Sequence, residues 1–511
     1  MSGNLWSIPL QTTNFNIVVA FLGGFISIFG LVSYLLKENY YLSEARVAFG
    51  PHGADFIRPR DYAECAEFPE SCDFDLNAIT LNFSRLVLGV QLVLAGVQLP
   101  SKYLVREWKS LSLLLGPGMT CMWLATSLLV WALAGQPPFL HALAIGACVT
   151  PTDPVLSAVI VKGKFADHNI PQDLQYLITA ESGANDGLGY PFLFLALYLI
   201  KFTGAAATSG GAADAMGLWF GMTWGYTIFL SVIYGAVVGW LSRLRDRPST
   251  LRPRDMRYGR YRRCPSLFIA GNTFTWDDWF RLETKDDSLQ PTIDMLLNVT
   301  IFLWYGAYIP WKDFHDNSVI PLWHLVILGI CVLVLRRLPW VFGMHKWIHQ
   351  IEEVKQAVFV GFFGPIGVSA VFYLFISLEF IEAHLSDEDG RPRSDVKNLG
   401  DQTRIIVWFL TVCSIVVHGL SIPVGKLGFH APRTLSRVVS ESLSDAPTGG
   451  RRRNIPFIGR YFFGPDKKDA RPATGPIVIT GAQRMRSELP VHAGDETPPI
   501  RREIQFADEV R

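Results

Sequence analysis

Residues Thr179–Ile200 read TAESGANDGLGYPFLFLALYLI. The second half is apolar enough for the middle of a bilayer, while the first half puts Glu181, Asn185 and Asp186 into the same run. A carboxylate at bilayer depth costs about 2.5–3.5 kcal/mol even on lenient insertion scales, so each acid here needs a partner or a purpose.

The rest of the chain supports a membrane setting. Of its 511 residues 50% are hydrophobic, 34 are Phe and only 18% are charged, too apolar for a soluble domain of this size. Spanning candidates run over 15–36, 77–99, 110–134, 139–161, 173–200, 222–243, 292–310, 319–341, 356–381 and 402–424, separated by short polar loops. This pattern predicts an all-α polytopic membrane protein. The first apolar run is long enough to span and has no basic stretch before it, so no cleavable signal is expected. A net charge of +1 names no partner, and nothing suggests nucleic acid. No CxxC or metal-ligand spacing occurs among the seven cysteines, and no phosphate loop or nucleophile elbow is visible. Neither an enzyme nor a cofactor is expected. Cys65 and Cys72 are the pair a disulfide would join if their loop is extracytoplasmic.

Lys and Arg set the orientation. The loops SKYLVREWK, VKGKFADHNIPQD and SRLRDRPSTLRPRDMRYGRYRR are basic and should face the cytoplasm, whereas AGQPP and the Ala/Gly-rich 203–216 carry little charge. The domain division that follows is a transmembrane domain over 1–430 and a largely disordered cytoplasmic tail over 431–511, with weak attraction to anionic lipid as the tail's other reading.

Two segments carry chemistry. In AIGACVTPTDPVLSAVIVKGK, Pro151 and Pro154 bracket Thr152 and Asp153 inside an apolar run. Each proline removes a backbone donor, so the helix should break near mid-membrane, freeing carbonyl oxygens beside two side-chain oxygens. In the opening stretch, Glu181 and Asn185 share one helix face, and Ser182 and Asp186 share the neighbouring one. An Asn–Asp pair suits a monovalent cation: the amide supplies a neutral oxygen, and the carboxylate supplies charge that a proton can replace. Asp186 is the first choice for the acid that alternates between proton and cation. Glu181 then needs an arginine, and CVLVLRRLPWVF offers Arg336 and Arg337, one of which is expected to snorkel to the interface. Three glycines and a proline in Gly361–Gly367 suggest a discontinuous or closely packed helix, and His418 is a packing or a proton-linked histidine.

The ordered set TDPV, ESGANDG, LRRLP, GFFGPIGVSA and SIVVHGLSIP resembles the monovalent cation/proton antiporters, in particular the fungal plasma-membrane Na+/H+ antiporters. The resemblance covers roughly 15–430. It implies an inverted-repeat antiporter fold of about 12–13 helices, two of them broken and crossing at the ion site, usually as a homodimer. It implies a multi-pass plasma-membrane protein exchanging cytosolic Na+, and also Li+ or K+, for external H+, in sodium tolerance and pH or cation homeostasis. By matching motif, Asp186, Asn185, Asp153 and Thr152 are the ion- and proton-binding set, with the monovalent cation on Asp186, and Glu181 with Arg337 is a structural ion pair. The chain departs from the family pattern twice. LSEARVAFGPHG joins two elements that relatives separate by a span, and nine arginines between Arg243 and Arg263 stand where another apolar helix belongs. Segments 42–58 and 245–266 therefore correspond to a missing and a shortened span. This keeps a degenerate or regulatory, non-transporting membrane protein as the alternative. A cation channel ranks below it, since no filter-like repeat is present.

Overall fold

The molecule is described here from a computed structural model covering residues 69–154, 156–157, 170–205, 207, 210–245, 264–284, 289–317, 319–386, 393–419 and 421. All of these fall in the first of two units, Met1–Gly449; the second, Gly450–Arg511, lies outside them. The expected first span at 15–36, the shortened 42–58, Cys65 of the Cys65–Cys72 pair, the tail over 431–511 and most of the arginine-rich 245–266 also lie outside the described residues.

Among the described residues there is no strand, and helices follow the apolar windows of the sequence. Within the described residues, five stretches are long and apolar enough to cross a membrane. They are Leu76–Gln98 in α1 (Pro69–Gln98), α2 (Trp108–Leu133), α5 (Ala212–Arg243), the run Leu322–Trp347, and a last helix over Leu399–Gly419. Within α2, a π-helical segment at Leu114–Gly118 carries the chain past Pro117 without a break. The span expected at 222–243 starts earlier, at Ala212, because the Ala/Gly-rich stretch read as a loop holds enough Ala, Met and Leu to extend the helix.

The two polar segments sit on elements of different kinds. α3 (Phe139–Cys148) stops short, and helical structure resumes at Pro154. The window 139–161 is thus broken where the prolines predict: Pro154 takes the first helical position, where its missing N–H costs nothing. α4 (Gln172–Thr203) is continuous for 32 residues, about 48 Å at helical rise, and carries Glu181, Asn185 and Asp186 at its middle. It runs through Pro191, which has no N–H for the Gly187 carbonyl; the Tyr373 hydroxyl donates to the adjacent Asp186 carbonyl.

α6 (Cys264–Phe274) begins where the described residues resume and has 11 residues, about 16 Å at helical rise. It lies backbone to backbone between α1 and α5: a Cβ at Gly96 would run into the Phe268 carbonyl, and one at Gly235 into that of Ser266. The turn after α6 is tied to the α1–α2 connection by Ser101, whose N–H donates to Asp278 at 3.0 Å and whose hydroxyl donates to the Trp276 carbonyl at 2.6 Å. Hydrogen bonds from Arg281 hold the Asp278 carboxyl below its ordinary pKa. α7 (Leu289–Tyr308) faces α1 through a polar stripe: Gln91 donates to Asn298 at 3.0 Å, Ser84 bonds Tyr305 at 2.7 Å, and Trp304 donates to Thr80 at 2.9 Å.

In the run Leu322–Trp347, α8 (Leu322–Leu335) ends at Arg336, and α9 (Leu338–Met344) restarts with Pro339 in its first turn. Both arginines occupy this joint. α10 (Val354–Phe362) ends before Phe363–Gly367, and α11 (Val368–His384) follows, so the glycine- and proline-rich window is the second broken helix. The last helix, α12, covers Leu399–Gly419.

Candidate functional site

The two breaks meet. The N–H of Asp153, in the first, donates to the carbonyl of Pro365, in the second, at 2.9 Å. The Asp153 carboxylate then serves both resuming helices. Its Oδ2 accepts from Leu156 N–H at 2.9 Å in the first turn after Pro154, and its Oδ1 accepts from Ser369 N–H at 3.2 Å in the first turn of α11. A single acid thereby caps two helix N-termini whose partial positive charges point at it. Gly367 makes this approach possible, since a Cβ there would lie 2.7 Å from the Asp153 carboxyl carbon.

α4 passes alongside and holds the first break with its polar face. Asn185 accepts from Thr152 N–H at 3.3 Å and donates to the Thr152 hydroxyl at 2.6 Å, so the amide grips the backbone N–H and the side chain of one residue. The Thr152 hydroxyl also lies 3.3 Å from that of Ser182, which in turn donates to Ser157 at 3.1 Å. The sequence had marked Ser182 only as a neighbour of Asp186; its hydroxyl is part of this chain of contacts.

Glu181 and Arg337 form a two-point ion pair, Nη1 to Oε1 at 2.5 Å and Nη2 to Oε2 at 2.7 Å. The third guanidinium nitrogen, Nε, donates to the Val360 carbonyl at 2.9 Å, so the pair ties α4 to the end of α10. The expectation that one of the two arginines snorkels is corrected here. Arg336 is 2% and Arg337 3% exposed, because the joint between α8 and α9 turns both inward. Arg336 donates to the carbonyls of Val149, Thr150 and Pro151 in the first break, at 2.5, 3.1 and 3.4 Å, and to that of Gly364 in the second.

Asp186 differs from all of these. It is buried, yet among the described residues neither of its carboxylate oxygens has a hydrogen-bond partner, and the nearby Ser369 hydroxyl has none either. Asp153 is its closest charged neighbour in electrostatic effect. Leaving a buried carboxylate unpaired is costly, so such an acid is a candidate binding group. His418, by contrast, is engaged at both ring nitrogens: Nε2 bonds the Phe362 carbonyl at 3.0 Å, and Nδ1 lies 3.1 Å from the Ser414 hydroxyl. That hydroxyl accepts from Ile366 N–H at 2.7 Å, so α12 braces the second break.

The structure thus brings Thr152, Asp153, Asn185 and Asp186 to one crossing, with Glu181 and Arg337 at its edge, and adds Arg336. This geometry defines a class: a helical membrane protein in which two interrupted helices cross beside an unpaired buried acid. The chain belongs to the family described as sodium/hydrogen exchanger, transmembrane, whose model matches residues 47–257 and 266–424; the unmatched 258–265 falls in the arginine-rich stretch. Among its relatives, "Na(+)/H(+) antiporter 2" of Zygosaccharomyces rouxii is 34% identical over 477 residues, covering 87% of this chain and 56% of the relative. A Na(+)/H(+) antiporter of Saccharomyces cerevisiae is 34% identical over 460 residues, 83% of this chain and 45% of the relative. The chain therefore spans about half the length of these two. It covers 96% of a Na(+)/H(+) antiporter of Schizosaccharomyces pombe, at 30% identity over 86% of this chain. A solved structure of the sodium proton antiporter MjNhaP1 from Methanocaldococcus jannaschii shares the fold, with a TM-score of 0.53 at 15% identity over 80% of this chain and all of that one.

Proposed function

We propose that the chain is a secondary antiporter exchanging Na+ for H+ across a membrane, with Asp186 as the acid that holds either ion. The observation that carries this reading is the unpaired pair of Asp186 oxygens at the crossing. A monovalent cation or a proton satisfies the same carboxylate but not both at once, and that competition couples their movements. Around Asp186, Asn185 and Thr152 present neutral oxygens held in place by their mutual hydrogen bonds, and Asp153 fixes the two half-helices that frame the ion. Glu181 and Arg337 serve as the structural pair. The Na+/H+ antiporter names of the relatives support the choice of ions.

Li+ and K+ are further substrates in this reading, and the setting is the plasma membrane, as a homodimer, serving sodium tolerance and pH homeostasis. The tail over 431–511 is a cytoplasmic extension. The test is flux in liposomes containing the purified chain and a trapped pH dye. An outward Na+ gradient should drive protons inward, and substituting Li+ and then K+ ranks the cations. Current without proton movement would identify a channel, and silence with every cation would favour the non-transporting reading raised by the arginine-rich 245–263.

A further inference from the structure

Arg336 is a charged group at the crossing that neither the exchange chemistry nor the Glu181–Arg337 pair uses. It has no carboxylate of its own, since both Glu181 oxygens are taken by Arg337. Its counter-charge is instead carbonyl oxygen, three from one break and one from the other. These oxygens belong to a particular electrostatic setting. α3 and α10 both end at the crossing, and each helix C-terminus carries unpaired carbonyls and about half a negative charge. Two such ends facing one another repel unless a cation sits between them. Carbonyls from unwound backbone are also what a desolvated monovalent ion takes as ligands. The guanidinium occupies the place where a small cation would otherwise settle, and its planar fork allows Nη1 to serve one break while Nη2 serves the other.

We propose that Arg336 is a tethered resident cation, a positioning residue that fills the carbonyl cage between the two breaks. It joins the half-helix ends and keeps the transported ion on Asp186, from which it can leave. This inference rests on the exchange reading of Asp186 but is separable from it. A mobile cation bound in the cage would lack a competing proton, because carbonyls do not titrate, and it would be held without being exchanged. Arg336 prevents that outcome by being covalently attached.

The test reads both binding and flux at alkaline pH, where protons compete least. In Arg336→Gln the repulsion is gone and the carbonyls are open, so the Na+ KM should fall by about 10-fold while the maximal rate also falls, the scale of removing one charge from a partly desolvated site. Arg336→Lys retains the charge and should keep KM near the parent value. Radioactive Na+ binding to the purified protein then separates the two ideas. Asp186→Asn alone should bind no Na+, whereas Asp186→Asn combined with Arg336→Gln should bind it again, in the vacated cage. An unchanged or raised KM in Arg336→Gln, or no binding by the double variant, overturns the proposal. Should the glutamine variants fail to fold, Arg336→Lys decides: an unshifted KM supports the resident charge and a raised one refutes it. Na+ binding that persists in Asp186→Asn alone refutes the exchange reading instead.

Discussion

Asp186→Asn should abolish cation-driven proton movement while leaving the protein as stable as before or more so. The substitution keeps the shape of the side chain and removes its charge and its ability to take up a proton. Without the negative charge, a cation entering the crossing loses its hydration and gains no compensating attraction; without a titrating group, nothing links its passage to H+. The expected loss is at least about 100-fold, the scale seen when a proton-transferring group is removed, and the Na+-driven dye signal should fall to the liposome leak. The stability half of the expectation is equally informative. An acid whose two oxygens are buried without a partner among the described residues is a costly feature of the resting protein, so neutralising it relieves that cost. A raised or unchanged thermal midpoint together with lost flux identifies a functional acid. Lost flux with a sharply lowered midpoint would place Asp186 in the scaffold, and retained flux would remove it from the mechanism.

Glu181 should behave in the opposite way. Glu181→Gln leaves the Arg337 guanidinium, 3% exposed, without its counter-charge. Removing one member of a buried pair costs about 3–5 kcal/mol, because the other charge stays desolvated. Arg337→Met strands Glu181 in the same manner and also frees the Val360 carbonyl, loosening the end of α10. Each single variant should lower the thermal midpoint in detergent. Glu181→Gln combined with Arg337→Met should recover most of the loss, since an uncharged, well-packed pair avoids the desolvation cost altogether. Two single variants as stable as the parent would show that the ion pair does not hold α4 to α10.

How far the sequence could be read depended on the reach of each signal. The break in the window 139–161 was legible because proline acts on its own turn: the missing N–H of Pro151 and Pro154 is a local property. The glycines and proline of Gly361–Gly367 suit a closely packed helix as well as a broken one, so the second break was legible only in part. The grouping of Glu181, Asn185 and Asp186 followed from helical spacing alone. The start of α5 at Ala212 was missed, since an uncharged Ala/Gly run is equally compatible with a loop and with a helix end. The fate of Arg336 was beyond such reasoning. Two adjacent arginines before a proline look equivalent in sequence, and what distinguishes them is contact with carbonyls up to 187 residues away. The double capping by Asp153 was hidden for the same reason, as Ser369 lies 216 residues further on.

The company that Asp186 keeps has an electrical consequence. The crossing gathers three carboxylates, on Asp153, Glu181 and Asp186, and two guanidiniums, on Arg336 and Arg337. One negative charge is left over, and either a single proton or a single sodium ion cancels it. On the proposed exchange, a site loaded with either ion would cross the membrane field as a neutral object, although moving a bare charge through 100 mV would involve about 2.3 kcal/mol. Na+/H+ exchange should accordingly run at the same rate with or without a membrane potential imposed by an ion the chain does not carry. A rate that follows the voltage would mean that a further charge travels with the site.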